Sequence, residues 1–203
     1  MSSLKLNWDP GERVDRRLAQ GALLAAVLSG ATLLFVVLTG EALDGVAILL
    51  LPAIPLLAAG QIRAISILIA RQAPRRPGLA GMFQSGLTTR AILGGLRPAW
   101  AAAVFLVFLL GWLGAMTGFA DVTGGNPQTG PAGCPYQLND HGSVTCVSKA
   151  TYERARAGGE QITAGVLLGF FAMHFGVIES EILRRRKSAA DDEYAQPETG
   201  LPG

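Results

Sequence analysis

The chain is poor in charged residues and in cysteine, and each scarcity excludes a class of protein. Charged residues make up 16% of its 203 residues and hydrophobic residues 50%, which excludes intrinsic disorder as the main state. Two cysteines are too few for a disulfide-built mini-protein. A net charge of +2 is too small to indicate nucleic-acid binding.

The sequence also lacks the short motifs of common enzyme classes. It has no Walker loop, no GxSxG, HExxH or CxxC motif, and no pair of carboxylates spaced for acid–base work. We therefore expect no catalytic residue, no cofactor and no metal ion, and the chain is predicted not to be an enzyme.

Basic residues are confined to blocks, and long apolar runs lie between those blocks. Lys and Arg are absent from residues 18–62, 98–148 and 157–183. A helix of about 20 residues is about 30 Å long, which is the thickness of the hydrocarbon core of a bilayer. The runs predict four membrane-spanning helices, over residues 20–40, 43–60, 98–118 and 161–183.

The positions of the basic residues predict the orientation of the spans. Residues 1–18, 61–97 and 184–203 hold 14 of the 17 basic residues, and the remaining connections hold three. The positive-inside rule then places both ends in the cytoplasm, with residues 119–160 as an extracytoplasmic loop. Arg outnumbers Lys by 14 to three, which suggests a GC-rich bacterial genome and hence the bacterial plasma membrane. Residues 184–203 are predicted to form a disordered cytoplasmic tail.

The connection of residues 61–97 contains six arginines and no acid. Residues 61–71 can extend the second helix, and residues 83–96 suit a helix lying in the membrane interface. Anionic headgroups of the inner leaflet are the predicted partner, and a cytoplasmic protein is the alternative. Across the cytoplasmic side, the predicted headgroup contacts are Arg63, Arg71, Arg75, Arg76, Arg90, Arg97, Arg184, Arg185 and Arg186.

Both cysteines lie in the long loop that is predicted to be extracytoplasmic. Oxidation there favours a Cys134–Cys146 disulfide, worth roughly 3 kcal/mol in the chain-entropy model. Two free thiols, or a metal pair assisted by His141, are the alternatives. Residues 136–138 and 144–147 can form two strands of a hairpin around a turn. The candidate binding surface of this hairpin consists of Tyr136, Leu138, Asn139, Asp140 and His141.

The hairpin carries a short pattern, Y-x-L-N-x-H-G followed by V-S-x-x-x-Y. The matching positions are Tyr136, Leu138, Asn139, His141, Gly142, Val147, Ser148 and Tyr152. This segment resembles one found in small multi-pass bacterial membrane proteins of unassigned function. The resemblance covers under a tenth of the chain and implies no activity.

Three ionisable residues lie in the fourth predicted span. His174 could ligate haem, but a neutral histidine bonded to a neighbouring helix is the favoured interpretation. Glu181 can pair with Arg184 or Arg185, and Glu179 could handle protons or cations. Pro52 and Pro55 are expected inside the second helix, where they would bend or break it. Pairs of small residues four positions apart predict close helix packing or self-association: Ala26 and Gly30, Gly114 and Gly118, Gly165 and Gly169.

The predicted fold is an all-α integral membrane protein, a four-helix transmembrane bundle with a small disulfide-closed β-hairpin in the extracytoplasmic loop. The expected role is that of a non-catalytic accessory or assembly subunit that acts through protein and lipid contacts. A small transporter or channel subunit is the first alternative, and a haem-binding or redox membrane protein is the second.

Overall fold

Four helices make up most of the described chain, and each is long and apolar enough to cross a membrane. The computed structural model describes residues 11–43, 52–72, 93–122 and 124–195. Its helices are α1 (Glu12–Thr39), α2 (Ala53–Gln72), α3 (Pro98–Asp121) and α4 (Lys149–Ala195). The mostly helical architecture with four candidate membrane spans is thereby confirmed.

Helix α4 is the element against which the other three helices pack. Its 47 residues correspond to a length of about 70 Å, more than twice the thickness of a bilayer core. The helix begins where the Ser148 hydroxyl accepts a hydrogen bond from the Thr151 backbone at 3.1 Å. It continues without a break to Ala195, so the prediction of a disordered tail from residue 184 is wrong for residues 184–195.

Helix α1 faces its neighbours with one narrow stripe of mostly small side chains. Its buried positions alternate in steps of four and three residues, which keeps them on one face of the helix. Side chains on the other faces, such as Leu24 and Leu38, are 62% and 75% exposed and suit contact with lipid. The stripe consists of Asp15, Ala19, Ala22, Ala26, Ser29, Leu33 and Val36.

Helices α3 and α4 cross with their backbones in contact. A Cβ atom on Gly111 would lie 2.6 Å from the carbonyl oxygen of Gly165 and 2.7 Å from the amide nitrogen of Gly169. About two turns further along, a Cβ atom on Gly118 would lie 2.8 Å from the carbonyl oxygen of Gly158. The small residues therefore serve packing inside the bundle, one of the two roles predicted for them.

Helix α2 begins ten residues later than the predicted second span. Leu43 lies outside any helix, Pro52 precedes α2, and Pro55 is in its first turn. A proline in the first turn removes no intrahelical hydrogen bond, so the expected bend or break at these prolines is absent from the described helix. The predicted extension of the second helix over residues 61–71 is confirmed, since α2 ends at Gln72. Residues 44–51 lie outside the described part of the chain.

A three-stranded antiparallel sheet precedes α4, in the order β1 (Asn126–Thr129), β2 (Tyr136–Asp140) and β3 (Ser143–Cys146). Strands β2 and β3 form the predicted hairpin, and Asp140 pairs with Ser143 across its turn. Strand β1 was not predicted. Its sequence, Asn-Pro-Gln-Thr, has no apolar alternation, and it forms because its four residues pair with β2.

Candidate functional site

The described chain carries polar groups at two places on α4, at its start and near residue 184, about 50 Å apart along the helix. We call the part beside the β-sheet the sheet end and the part near residue 184 the arginine end; the helix itself continues to Ala195. The sheet is closed by the predicted Cys134–Cys146 disulfide, whose Cα atoms are 5.6 Å apart. The bridge joins the residues just before β2 to the last residue of β3 and so fixes the hairpin.

The turn between β2 and β3 consists of two residues with positive φ. His141 has φ 50° and Gly142 has φ 95°, the backbone of a type I′ turn that matches the twist of the strands. The Asn139 side-chain oxygen accepts a hydrogen bond from the Gly142 amide at 2.8 Å. His141 is fully exposed, and its Nε2 atom lies 3.7 Å from a carboxylate oxygen of Asp140. These side chains build a turn that is open to solvent.

The predicted binding surface is divided between two faces of the sheet. Leu138 is 5% exposed and belongs to the core, so it cannot contact a partner as predicted. The ring of Tyr136 packs on Tyr152 of α4 with 5.3 Å between centroids. Asn139 lies on the opposite face because neighbouring residues of a strand alternate. The available surface therefore consists of the turn residues and β3, all four residues of which are exposed.

At the arginine end, α1 and α2 are joined by a buried ion pair. The Nε and Nη2 atoms of Arg63 donate to the two carboxylate oxygens of Asp15, each at 2.6 Å. The side chains are 3% and 0% exposed, so the pair is removed from water. Arg185 of α4 adds a third charge, 3.9 Å from the Asp15 carboxylate.

Glu181 of α4 is the second buried carboxylate at this end. Its oxygens accept hydrogen bonds from Arg71 at 3.1 Å, Arg184 at 2.8 Å and Arg185 at 3.0 Å. The predicted pairing of Glu181 with Arg184 and Arg185 is thereby confirmed. We call this group the ion cluster; it consists of Asp15, Arg63, Arg71, Glu181, Arg184 and Arg185.

The neighbouring hydroxyl of Ser180 connects the cluster to the segment that precedes α3. Ser180 is fully buried and accepts hydrogen bonds from Arg71 at 3.2 Å and from the Gly95 amide at 3.0 Å. Leu93 is 1% exposed and packs beside Gly176. Of the predicted interfacial helix over residues 83–96, only the end is described: Leu93 is helical, and residues 94–96 form a turn beside α4. Residues 83–92 lie outside the described part.

Some of the arginines that were predicted to contact lipid headgroups are instead held in the ion cluster. Arg63 is wrong as a headgroup ligand because it is buried on Asp15, and Arg71 is only 14% exposed against Glu181. Arg185 is 36% exposed and is bound to Glu181, whereas Arg184 and Arg186 are 59% and 51% exposed. Arg97, at the start of α3, is also exposed. Arg75, Arg76 and Arg90 lie outside the described residues.

Sequence reasoning missed Asp15, although a signal for it was present. Asp15 occupies the first position of the small-residue stripe on α1, where a carboxylate is buried with the rest of the face. A buried carboxylate needs a cation, and residues 61–97 contain arginines without acids. The particular partner, Arg63, depends on how α1 and α2 are aligned, which the sequence does not specify.

His174 is a residue of α4, faces α2 and is 2% exposed. Neither ring nitrogen has a hydrogen-bond partner within the described chain, so the expected bond to a neighbouring helix is not formed. The ring instead faces Gly60, where a Cβ atom would lie 2.7 Å from Nδ1. Glu179 is half-buried and lies outside the ion cluster. The described residues contain no group of three His, Cys, Asp or Glu side chains that could hold a metal ion.

The comparisons with known proteins give no relatives. No protein-family model, no curated protein and no solved structure matches the chain.

Proposed function

We propose that this protein is a non-catalytic membrane protein that acts as an accessory or assembly subunit. It binds a partner protein through its β-sheet. The observation that carries this proposal is the way the sheet is held. The Cys134–Cys146 disulfide closes the hairpin, the Tyr136–Tyr152 contact fixes it to α4, and Leu138 is buried. A rigid, preorganised surface loses little conformational entropy on binding, which favours recognition.

The arginine end would serve as an anchor on anionic lipid. The basic side chains that are exposed there include Arg13, Arg17, Arg184, Arg186 and Lys187. Each basic residue near an anionic surface contributes about 1 kcal/mol of attraction. The buried charges of Arg63 and Asp15 would instead hold the helices together. This division gives the two ends of α4 separate roles.

The proposed location is the bacterial plasma membrane, with both ends of the chain in the cytoplasm and the sheet outside. The four candidate spans and the disulfide support this arrangement, because disulfides persist in oxidising compartments. The charge distribution supports the same orientation, since the positive-inside rule assigns the arginine-rich segments to the cytoplasm.

The experiment is chemical crosslinking in native membranes, followed by purification of the full chain and identification of crosslinked proteins. The test variant lacks residues 134–146, which removes both cysteines and most of the sheet. We expect the crosslinked partner to disappear while the helix content and detergent stability of the bundle stay unchanged. Retention of every partner by this variant would refute the proposal.

The matched control keeps the sheet and alters the other end of α4. Lys187→Gln removes one exposed charge at the arginine end and should leave crosslinking to the protein partner intact. Loss of the partner in this control as well would show that the arginine end, and not the sheet, forms the interface.

A further inference from the structure

The two edges of the β-sheet differ in what their backbones offer. In a hairpin with a two-residue turn, the residues flanking the turn form a hydrogen-bonded pair, and the pairs then alternate. Asp140 and Ser143 flank the turn, so Ser143 and Thr145 direct their backbone groups towards β2. The backbone N–H and C=O groups of Val144 consequently point away from β2, as do those of Cys146. They lie at the edge of β3 that pairs with no other strand of the described chain, which we call the free edge. A hydrogen bond of 3.0 Å from the Val147 amide to the Tyr136 carbonyl agrees with this register.

Hydrogen-bonded and non-hydrogen-bonded pairs also alternate between β1 and β2, and this places a proline at the outer edge of β1. Leu138 directs its backbone groups towards β3, so its partner Pro127 forms a non-hydrogen-bonded pair with it. Residue 127 is therefore one of the outward-facing positions of β1, and a proline there has no N–H to donate. A hydrogen bond of 3.1 Å from the Gly130 amide to the Pro135 carbonyl fits this register.

Strand β3 lacks the features that usually protect an exposed edge. Natural edge strands are blunted by charged residues, prolines or bulges. The sequence Ser-Val-Thr-Cys contains no charge and no proline, its pairing with β2 is regular, and Val144 is 49% exposed. Its β-branched residues favour extended backbone, and the disulfide at Cys146 holds the end of the strand in place.

We infer that the free edge of β3 binds an extended segment of a partner protein, which adds to the sheet as a fourth strand. This inference rests on the proposed function and specifies its mode of recognition. The backbone of an extended peptide presents N–H and C=O groups with the spacing that the Val144 and Cys146 groups require. The exposed Val144 side chain would then contact an apolar side chain of the added strand.

The test uses the full chain in its native membranes, with a benzophenone side chain introduced at Ser143 or Thr145 as the probe. We expect both probes to crosslink one short stretch of a single protein, at positions two residues apart. A probe at Thr129, beside the proline-blocked edge of β1, should give no such pattern. Crosslinks scattered over several proteins, or none from β3, would overturn the inference.

Substitutions at Val144 separate backbone from side-chain recognition. Val144→Pro removes the outward N–H without touching the β2–β3 ladder, and we expect crosslinking to fall about tenfold. Val144→Thr keeps both the N–H and the branched shape and should crosslink nearly as well as the parent chain. Equal crosslinking by the proline variant would overturn strand addition while leaving the proposed function intact.

The Val144→Pro substitution could prevent the sheet from forming, and absence of the Cys134–Cys146 disulfide would reveal this. A second variant tests the inference in that case. Val144→Lys keeps the N–H and places a charge at the edge, as natural edge strands do, and it should also weaken crosslinking severalfold. If the variant lacking residues 134–146 retains the partner, the proposed function fails together with this inference.

Discussion

At the scale of single residues, the Asp15–Arg63 pair is the most consequential contact, because both charges are buried and each is the other's closest counterion. Asp15 accepts two hydrogen bonds from Arg63, and breaking a buried ion pair by removing one partner costs about 3–5 kcal/mol. We expect Asp15→Asn to lower the thermal unfolding temperature of the detergent-solubilised protein markedly, as followed by circular dichroism.

A matched control for this prediction is Glu12→Gln. Glu12 pairs with Arg16 and Arg186 at the surface, where water screens the attraction, so little change is expected. The double variant Asp15→Leu with Arg63→Met should recover most of the lost stability, because an apolar pair of similar volume removes both buried charges. Equal losses in the Asp15 and Glu12 variants would contradict the argument.

His174 gives a second prediction at this scale, because its ring fits only against a residue without a side chain. A Cβ atom on Gly60 would lie 2.7 Å from the Nδ1 atom, so Gly60→Ala should cost about 1–3 kcal/mol through overpacking. His174→Ala on the same background should restore part of the loss, since the methyl group then has room. A double-mutant cycle of unfolding free energies measures the coupling. Additive effects would show that the ring and Gly60 do not touch.

At the scale of elements, the α3–α4 crossing depends on glycine. Gly111→Ala would place a methyl group 2.6 Å from the Gly165 carbonyl oxygen, which is backbone and cannot rotate away. We expect a loss of about 2 kcal/mol or more. Gly159→Ala on α4 meets nothing within 4 Å and should be neutral or stabilising by up to about 1 kcal/mol.

Gly114→Ala distinguishes backbone contact from side-chain contact on the same helix. Its Cβ atom would meet the Leu33 side chain at 2.8 Å, and that side chain can change rotamer. When unfolding is measured in detergent, Gly111→Ala should therefore be the least stable of the three glycine variants. Gly114→Ala should be intermediate, and Gly159→Ala should be the most stable. Any other order would contradict the crossing geometry.

The helices and strands also show how much of the fold could be predicted from the sequence. Gaps between basic residues identified the helices, and the position of the cysteines predicted the disulfide, because both depend on local composition. The start of α2, the strand β1 and the continuation of α4 to Ala195 were not predicted. Strand β1 depends on tertiary contact, because its residues pair with β2. The continuation of α4 is held near its start by Arg186, which pairs with Glu12 of α1, and residues 187–191 are exposed.

At the scale of the whole molecule, the sheet lies at the start of one long helix, and the ion cluster lies about 50 Å further along it. The candidate site was predictable in part, since the turn residues and the disulfide were recognised from sequence. Its division into a docked face and a free edge was not, because that depends on strand register. The burial of Leu138 and the outward direction of the Val144 backbone both follow from the same alternation.

The orientation of these ends across the membrane is the last prediction. In a background in which both cysteines are replaced by serine, Ser143→Cys at the sheet end and Ser188→Cys at the arginine end each provide one exposed thiol. If the arginine-rich segments are cytoplasmic, a membrane-impermeant maleimide should label the cysteine at position 143 in intact cells. The cysteine at position 188 should react only after permeabilisation. The reverse pattern would place the sheet in the reducing cytoplasm and would remove both the oxidising environment and the extracytoplasmic partner from the proposed function.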